Sequence, residues 1–141
     1  HGFTCSGHPV AAAVALEAIA IYEERNILAH ISRVSPDFQE GLRRFAGHPL
    51  VGEVRGIGLI GGVEIVRDKA SREPFAPSDG AGPYLSDKLQ EQGVITRVIG
   101  DCAVFAPPLI ITGDEISEML DSLGQALDKT AGWAVGRGLL S

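Results

Sequence analysis

The stretch Val51-Gly-Glu-Val-Arg-Gly-Ile-Gly-Leu-Ile-Gly-Gly-Val-Glu-Ile-Val66 decides the fold. Within it, Gly56-Ile-Gly-Leu-Ile-Gly61 matches the GxGxxG pattern with which a doubly wound domain cradles a dinucleotide. That mechanism needs a strand before the glycines and a helix after them, with the helix N-terminus facing the pyrophosphate. Here the glycines lead into Val63-Glu-Ile-Val66, which is β-branched and strand-like. About 20 residues further on, where an acidic residue should end a second strand, the chain is a loop around Ala76. The match is therefore coincidental. The segment reads as two short strands or one bent strand, with glycines where backbones approach closely.

On the N-terminal side, Pro9 opens a helix predicted to run to about Arg25, since a proline costs no hydrogen bond at a first helical position. Val10, Val14, Leu16, Ile19 and Ile21 make it apolar almost all round, which predicts burial on most sides. Asn26 is a stop for it or a cap for the next helix. From Ile27 to Ala46 the apolar residues Ile27, Ile31, Val34, Phe38, Leu42 and Phe45 recur every three or four positions, the period of an amphipathic helix. Pro36 either kinks it or restarts it, with Ser35 as the cap. Gly47 and Pro49 end it.

On the C-terminal side, Arg67 to Gly82 is polar and rich in Pro, Ser and Asp, hence an exposed loop. Pro83 to Gln92 is predicted to be a short helix presenting Leu85 and Leu89 and closed by Gly93. Val94–Arg97 and Ala103–Ala106 suit a hairpin around Gly100-Asp101. Thr112-Gly-Asp-Glu115 is a capping box, followed by a last helix marked by Ile116, Met119, Leu120, Leu123 and Leu127. The tail after Lys129 has no clear pattern. This order implies an α+β fold whose small, largely antiparallel sheet is covered by helices.

Composition narrows the function. The 141 residues carry 12 basic against 18 acidic side chains, a net charge of −6, which argues against binding a nucleic-acid backbone. The longest apolar run, Val10 to Tyr22, is broken by Glu17 and falls short of the roughly 20 residues that cross a bilayer. Cys5 and Cys102 form no disulfide framework and fit a reducing, cytoplasmic setting. His1, His8, His30 and His48 have no metal-ligand spacing with one another or with the cysteines, so no metal site is expected.

The opening His1-Gly-Phe-Thr-Cys-Ser-Gly-His-Pro9 places hydroxyls and accessible amides before a helix start. A helix start favours negative charge, so a phosphate or carboxylate site is one reading and an ordinary capped loop the other.

That segment and its Ala-rich helix closely resemble the stretch after the catalytic lysine in class III aminotransferases, pyridoxal-phosphate enzymes of fold type I. His48-Pro-Leu-Val-Gly-Glu-Val-Arg-Gly-Ile-Gly-Leu59, Arg67-Asp-Lys-Ala-Ser71 and Ala106-Pro-Pro-Leu-Ile-Ile-Thr112 resemble the same family in the same order. The likeness is nearest to the ω-transaminases, which move an amino group between an amine or β-amino acid and pyruvate. It implies a homodimer with pyridoxal 5'-phosphate at the interface. Thr4, with Phe3 beside it, would contribute to the neighbouring subunit's phosphate site. Arg97 matches a mobile arginine that pairs with a substrate carboxylate and swings aside for an apolar substituent. Arg55 is expected to be structural, packing the turn before the strand.

The resemblance also implies that residues 1–26 belong to the large cofactor domain and 27–141 to the small C-terminal domain. Transamination needs a lysine to hold the cofactor, and Lys69, Lys88 and Lys129 do not occupy that position. No catalytic residue is therefore assigned within this chain, which is expected to be a C-terminal portion and inactive alone. Two alternatives remain open. One is a glutamate-semialdehyde aminomutase or a γ-amino or diamino acid transaminase; the other is a free-standing, non-catalytic α+β binding module.

Overall fold

Helix α1 (Pro9–Glu24) opens on a proline and is capped by His8, whose Nδ1 accepts from the Ala11 amide at 3.4 Å. The computed structural model describes Gly2, Thr4 and residues 6–140. Asn26, in the left-handed region at φ 50°, turns the chain from α1 into α2 (Ile27–Arg44). Asparagine tolerates that conformation better than most residues, so the residue serves as both stop and start. The expected burial of α1 is not found. None of its residues is buried, because the element it packs against is α2, and Val10, Val14, Leu16 and Ile19 stand at the surface.

Helix α2 runs without restarting through Pro36, so Ser35 is not a cap. The ring leaves the Ser32 carbonyl without its usual amide partner, yet Val34, Phe38 and Leu42 are buried on either side of it. Packing of that apolar face outweighs the local penalty. A single 3₁₀ turn, Phe45–Gly47, follows where a continuing helix was expected.

Strands β1 (Val51–Ile57) and β2 (Ile60–Ile65) form an antiparallel hairpin closed by Gly58-Leu59, Gly58 taking φ 57°. The glycine-rich stretch is therefore strand, turn and strand. The glycines are close-approach positions: a methyl built on Gly56 would lie 2.4 Å from the Ile60 carbonyl oxygen, and one on Gly61 2.2 Å from Leu42 Cδ1.

Helix α3 (Ala81–Glu91) starts two residues before Pro83, which sits harmlessly in the first turn. Strands β3 (Arg97–Ile99) and β4 (Cys102–Phe105) flank Gly100-Asp101, as the turn chemistry predicts. β3 begins at Arg97 and not at Val94, because the Val94 amide is spent on the Leu89 carbonyl, closing α3 at 2.9 Å. Helix α4 (Gly113–Gly136) starts at the Thr112–Glu115 capping box and absorbs the tail up to Gly136. Within that tail, Trp133 stacks on Tyr84 of α3 with ring centroids 4.4 Å apart, and Lys88 and Arg137 lie over the two outer ring faces.

The four strands form one sheet in the order β1-β2-β4-β3, antiparallel throughout. Helices α2 and α3 pack on the sheet, and α4 packs against both. Phe38, Leu42, Val63, Ile65, Leu85, Leu89, Phe105, Leu123 and Leu127 fill the core. Burying each such side chain fully stabilises the fold by roughly 1.5–3 kcal/mol. The architecture is α+β with a small antiparallel sheet and four helices. Among the described residues, no helix is long and apolar enough to cross a membrane.

Candidate functional site

The strand register sorts the sheet residues into rows. Val54, Val63, Ala103 and Val98 form one row, turned toward the helices. The next row belongs to the opposite, open face and holds Arg55, Gly62, Val104 and Arg97, with an arginine at each end. Beside it runs a row of Glu53, Glu64, Cys102 and Ile99. Period-two alternation puts these two rows on the same side.

The two arginines differ in what they touch. Arg55 Nη1 donates to Glu64 Oε2 at 2.6 Å and Glu53 Oε2 at 3.1 Å, and Nη2 lies 3.6 Å from Cys102 Sγ. The bond to Glu64 raises the Arg55 guanidinium above its ordinary value. Burial pushes the Cys102 thiol up as well, against the opposing pull of Arg55, so the thiol stays protonated at neutral pH. The sequence suggests that Arg55 packs a turn before the strand; instead it lies within β1 and is held in an ion pair on the open face. Glu53 and Arg55 alternate on one strand, and a two-residue turn places Glu64 opposite Glu53; that spacing is the signal that would have found them.

Arg97 opens β3, the edge strand, and is exposed. It has no hydrogen-bond or ion-pair partner among the described residues. Its cross-strand neighbour is Val104, and Ile99 two residues on, on the same face, is exposed. Ile95, 87 % exposed, lies two residues before it. The Thr96 hydroxyl donates to the Val104 carbonyl and locks the entry to the strand. A guanidinium of this kind can hold a carboxylate through two parallel N–H···O bonds. A cleft of about 380 Å³ on the helix side, lined by Gly93, Thr96, Pro107 and Met119 among others, does not include Arg97.

Thr4 lies exposed in the turn before α1, close to Gly7 at φ 73°. His8, not Thr4 or Ser6, caps the helix, and the Thr4 hydroxyl makes no hydrogen bond among the described residues. The segment fits one part of a phosphate site, offering a hydroxyl near a helix start. Phe3 lies outside the described residues. Thr4 and Arg97 belong to different parts of the fold, one ahead of α1 and the other on the strand edge packed by α3.

Two of the three lysines are engaged in contacts of their own. Lys69 Nζ donates to the carbonyls of Ala46 at 2.6 Å and His48 at 2.8 Å, tying down the end of the 3₁₀ turn. Lys88 pairs with Glu91 and lies over Tyr84, and Lys129 is exposed on α4.

The open sheet face, backed by three helices, thus carries one arginine paired with carboxylates and one without such a partner among the described residues. The family model for class-III aminotransferases matches residues 1–127, and the chain belongs to that family. It is 50% identical over 130 residues to gamma-aminobutyrate transaminase 1, mitochondrial, of Oryza sativa subsp. indica, covering 92% of this chain and 25% of that protein. It is 47% identical over 130 residues to gamma aminobutyrate transaminase 3, chloroplastic, of Solanum lycopersicum, again covering 92% of this chain and 25% of the relative. Among solved structures, the omega transaminase from Pseudomonas jessenii in complex with PMP superposes with a TM-score of 0.87 at 45% identity, covering 94% of this chain and 29% of that one. A transaminase with L-ala gives 0.88 at 47% identity, covering 94% and 31%. The chain thus spans about a quarter of the length of these curated relatives and three-tenths of the solved ones.

Proposed function

We propose that this chain is the C-terminal part of a pyridoxal-phosphate-dependent ω-aminotransferase that exchanges an amino group between an amine or ω-amino acid and pyruvate. The observation that carries the reading is Arg97: of the two arginines in one sheet row, it is the one left without a carboxylate. The keto acid's carboxylate takes the place that Glu53 and Glu64 take at Arg55. When an apolar amine occupies the site, the long arginine stem lets the head swing away, and Ile95, Ile99 and Val104 offer an apolar surround. Thr4 donates its hydroxyl to the cofactor's phosphate in the neighbouring subunit of a homodimer, with Phe3 beside it. Pyridoxal 5'-phosphate supplies the electron sink and carries the amino group between the two half-reactions. Residues 1–26 then belong to the large cofactor domain and 27–141 to the small domain.

Lys69 and Lys88 are committed elsewhere, and Lys129 lies exposed on α4, away from the position the resemblance requires, so the chain by itself is inactive on this reading. The compartment proposed is a reducing one, the cytoplasm; the mitochondrial and chloroplastic names of the relatives make fractionation of tagged full-length protein the deciding measurement. Those names also favour a second reading, γ-aminobutyrate as the amine donor. Comparing it with a neutral arylalkyl amine, pyruvate held constant, separates the two.

The test is Arg97→Ala in the full-length holoenzyme. A charge-assisted hydrogen bond is worth roughly 1.5–3 kcal/mol, so the KM for pyruvate should rise on the order of 10- to 100-fold. The KM for an uncharged amine should stay nearly constant. Equal effects on both substrates would remove Arg97 from the site.

A further inference from the structure

The strand carrying Arg97 is an edge strand with a single neighbour, so its placement depends on what holds the far end of its hairpin. That end is clamped. Gly100 takes φ 59° in the turn, and its carbonyl oxygen presses against Gly82 in the first turn of α3. A methyl built on Gly82 would lie 1.9 Å from Gly100 O and 3.2 Å from Asp101 Oδ1, where ordinary contact begins at 3.4 Å. The Asp101 carbonyl accepts from the Ile65 amide at 2.9 Å, tying the same turn to the end of β2. The Asp101 side chain, half-buried, faces the backbone N–H groups of Phe75 and Gly82. Two residues of one turn therefore meet the start of α3, the loop before it and the end of β2. Arg97 is three residues from Gly100, roughly 10 Å along the strand.

We propose that Gly82 is a positioning residue for the substrate-carboxylate arginine: by admitting the Gly100 backbone, it sets where the β3–β4 hairpin holds Arg97. The proposal rests on the reading of Arg97 above. Any side chain at position 82 forces the turn away by about 1.5 Å, the gap between 1.9 Å and ordinary contact, and the hairpin carries that displacement to its other end. Displacements near 1 Å cost a bidentate contact much of its geometry, with rate effects that reach about 100-fold. Asp101 acts on the same clamp from the other side, and its removal loosens the turn without adding bulk.

The experiment uses the full-length holoenzyme with Gly82→Ala, Asp101→Ala, Arg97→Ala, and Gly41→Ala as a control. Gly41 is also crowded, its methyl falling 2.2 Å from Leu120 Cδ1, but there it meets the end of a side chain at the α2–α4 contact and not backbone. The expected result is a rise in pyruvate KM on the order of tenfold in Gly82→Ala, with Asp101→Ala moving the same way. The KM for an uncharged amine and the cofactor absorbance should be unchanged in both. Gly41→Ala should leave the two substrates unseparated, whatever it does to the melting temperature. If Arg97→Ala separates the substrates while Gly82→Ala and Asp101→Ala do not, the clamp has no positioning role. If Gly41→Ala separates them as well, the effect is general loosening and the proposal fails. If Arg97→Ala itself shows no separation, the underlying reading falls. Should Gly82→Ala not fold, Asp101→Ala decides the matter alone.

Discussion

Two hairpins of one sheet carry arginines in the same cross-strand row, and the structure treats them in opposite ways. In the β1–β2 hairpin, Arg55 is held by Glu53 and Glu64. In the β3–β4 hairpin, Arg97 faces Val104 and has no carboxylate within reach among the described residues. The first hairpin is glued to α2, with Gln39 Nε2 donating to the carbonyls of Gly58 and Ile60 and Gly61 tight against Leu42. The second ends the sheet and is anchored through its turn. A guanidinium already satisfied by carboxylates has little left to offer a ligand; one without such a partner keeps its donors available.

The largest effect expected from this contrast is on substrate use: Arg97→Ala impairs pyruvate recognition selectively, whereas Arg55→Ala leaves both substrate KM values nearly alone. Equal impairment from the two arginines would erase the distinction between the hairpins. Next in size is stability at the glued hairpin. Gly61→Ala inserts a methyl 2.2 Å from Leu42 Cδ1, and overpacking of this kind costs roughly 1–3 kcal/mol in chemical denaturation. Thr112→Ala removes an N-cap and should cost about 1 kcal/mol. The Thr112 amide and hydroxyl hold the Glu115 carboxyl below its usual range, so that contribution is present at neutral pH. It fades as pH falls through the folded-state value, and Thr112→Ala should flatten the acid side of the stability profile. The smallest change is the stability cost of Arg55→Ala, within about 1 kcal/mol, because its ion pairs are half exposed and screened by water.

How far these differences were legible in the sequence varies by region. Glycines and caps spoke clearly: Gly93 and Gly100 sit at positive φ where turns were expected, and Thr112-Gly-Asp-Glu115 forms its capping box. The GxGxxG motif could be set aside because β-branched residues follow it. The start of β3 was misplaced by three residues because closing α3 consumes the Val94 amide, a competition that strand propensity does not register. Continuation of α2 through Pro36 was undecided, since only the buried face of Phe38 and Leu42 settles it. Around α1, an all-apolar pattern predicted a burial that the elements of this chain do not provide. Thr4 and Arg97 were reachable only through family resemblance. Nothing local to Arg97 distinguishes it from any exposed arginine until the sheet register places it in one row with Arg55, at the opposite edge of the sheet.

Trp133 is the sole tryptophan, and it stacks on Tyr84 between two cations at the seam of α3 and α4. The protein thus contains an optical gauge of that seam. Its fluorescence reads whether α4 is docked on α3, the helix that also holds the β3–β4 turn, while staying blind to Arg97, the arginine proposed to meet the substrate. Loss of docking and loss of recognition can therefore be followed as separate signals in one sample.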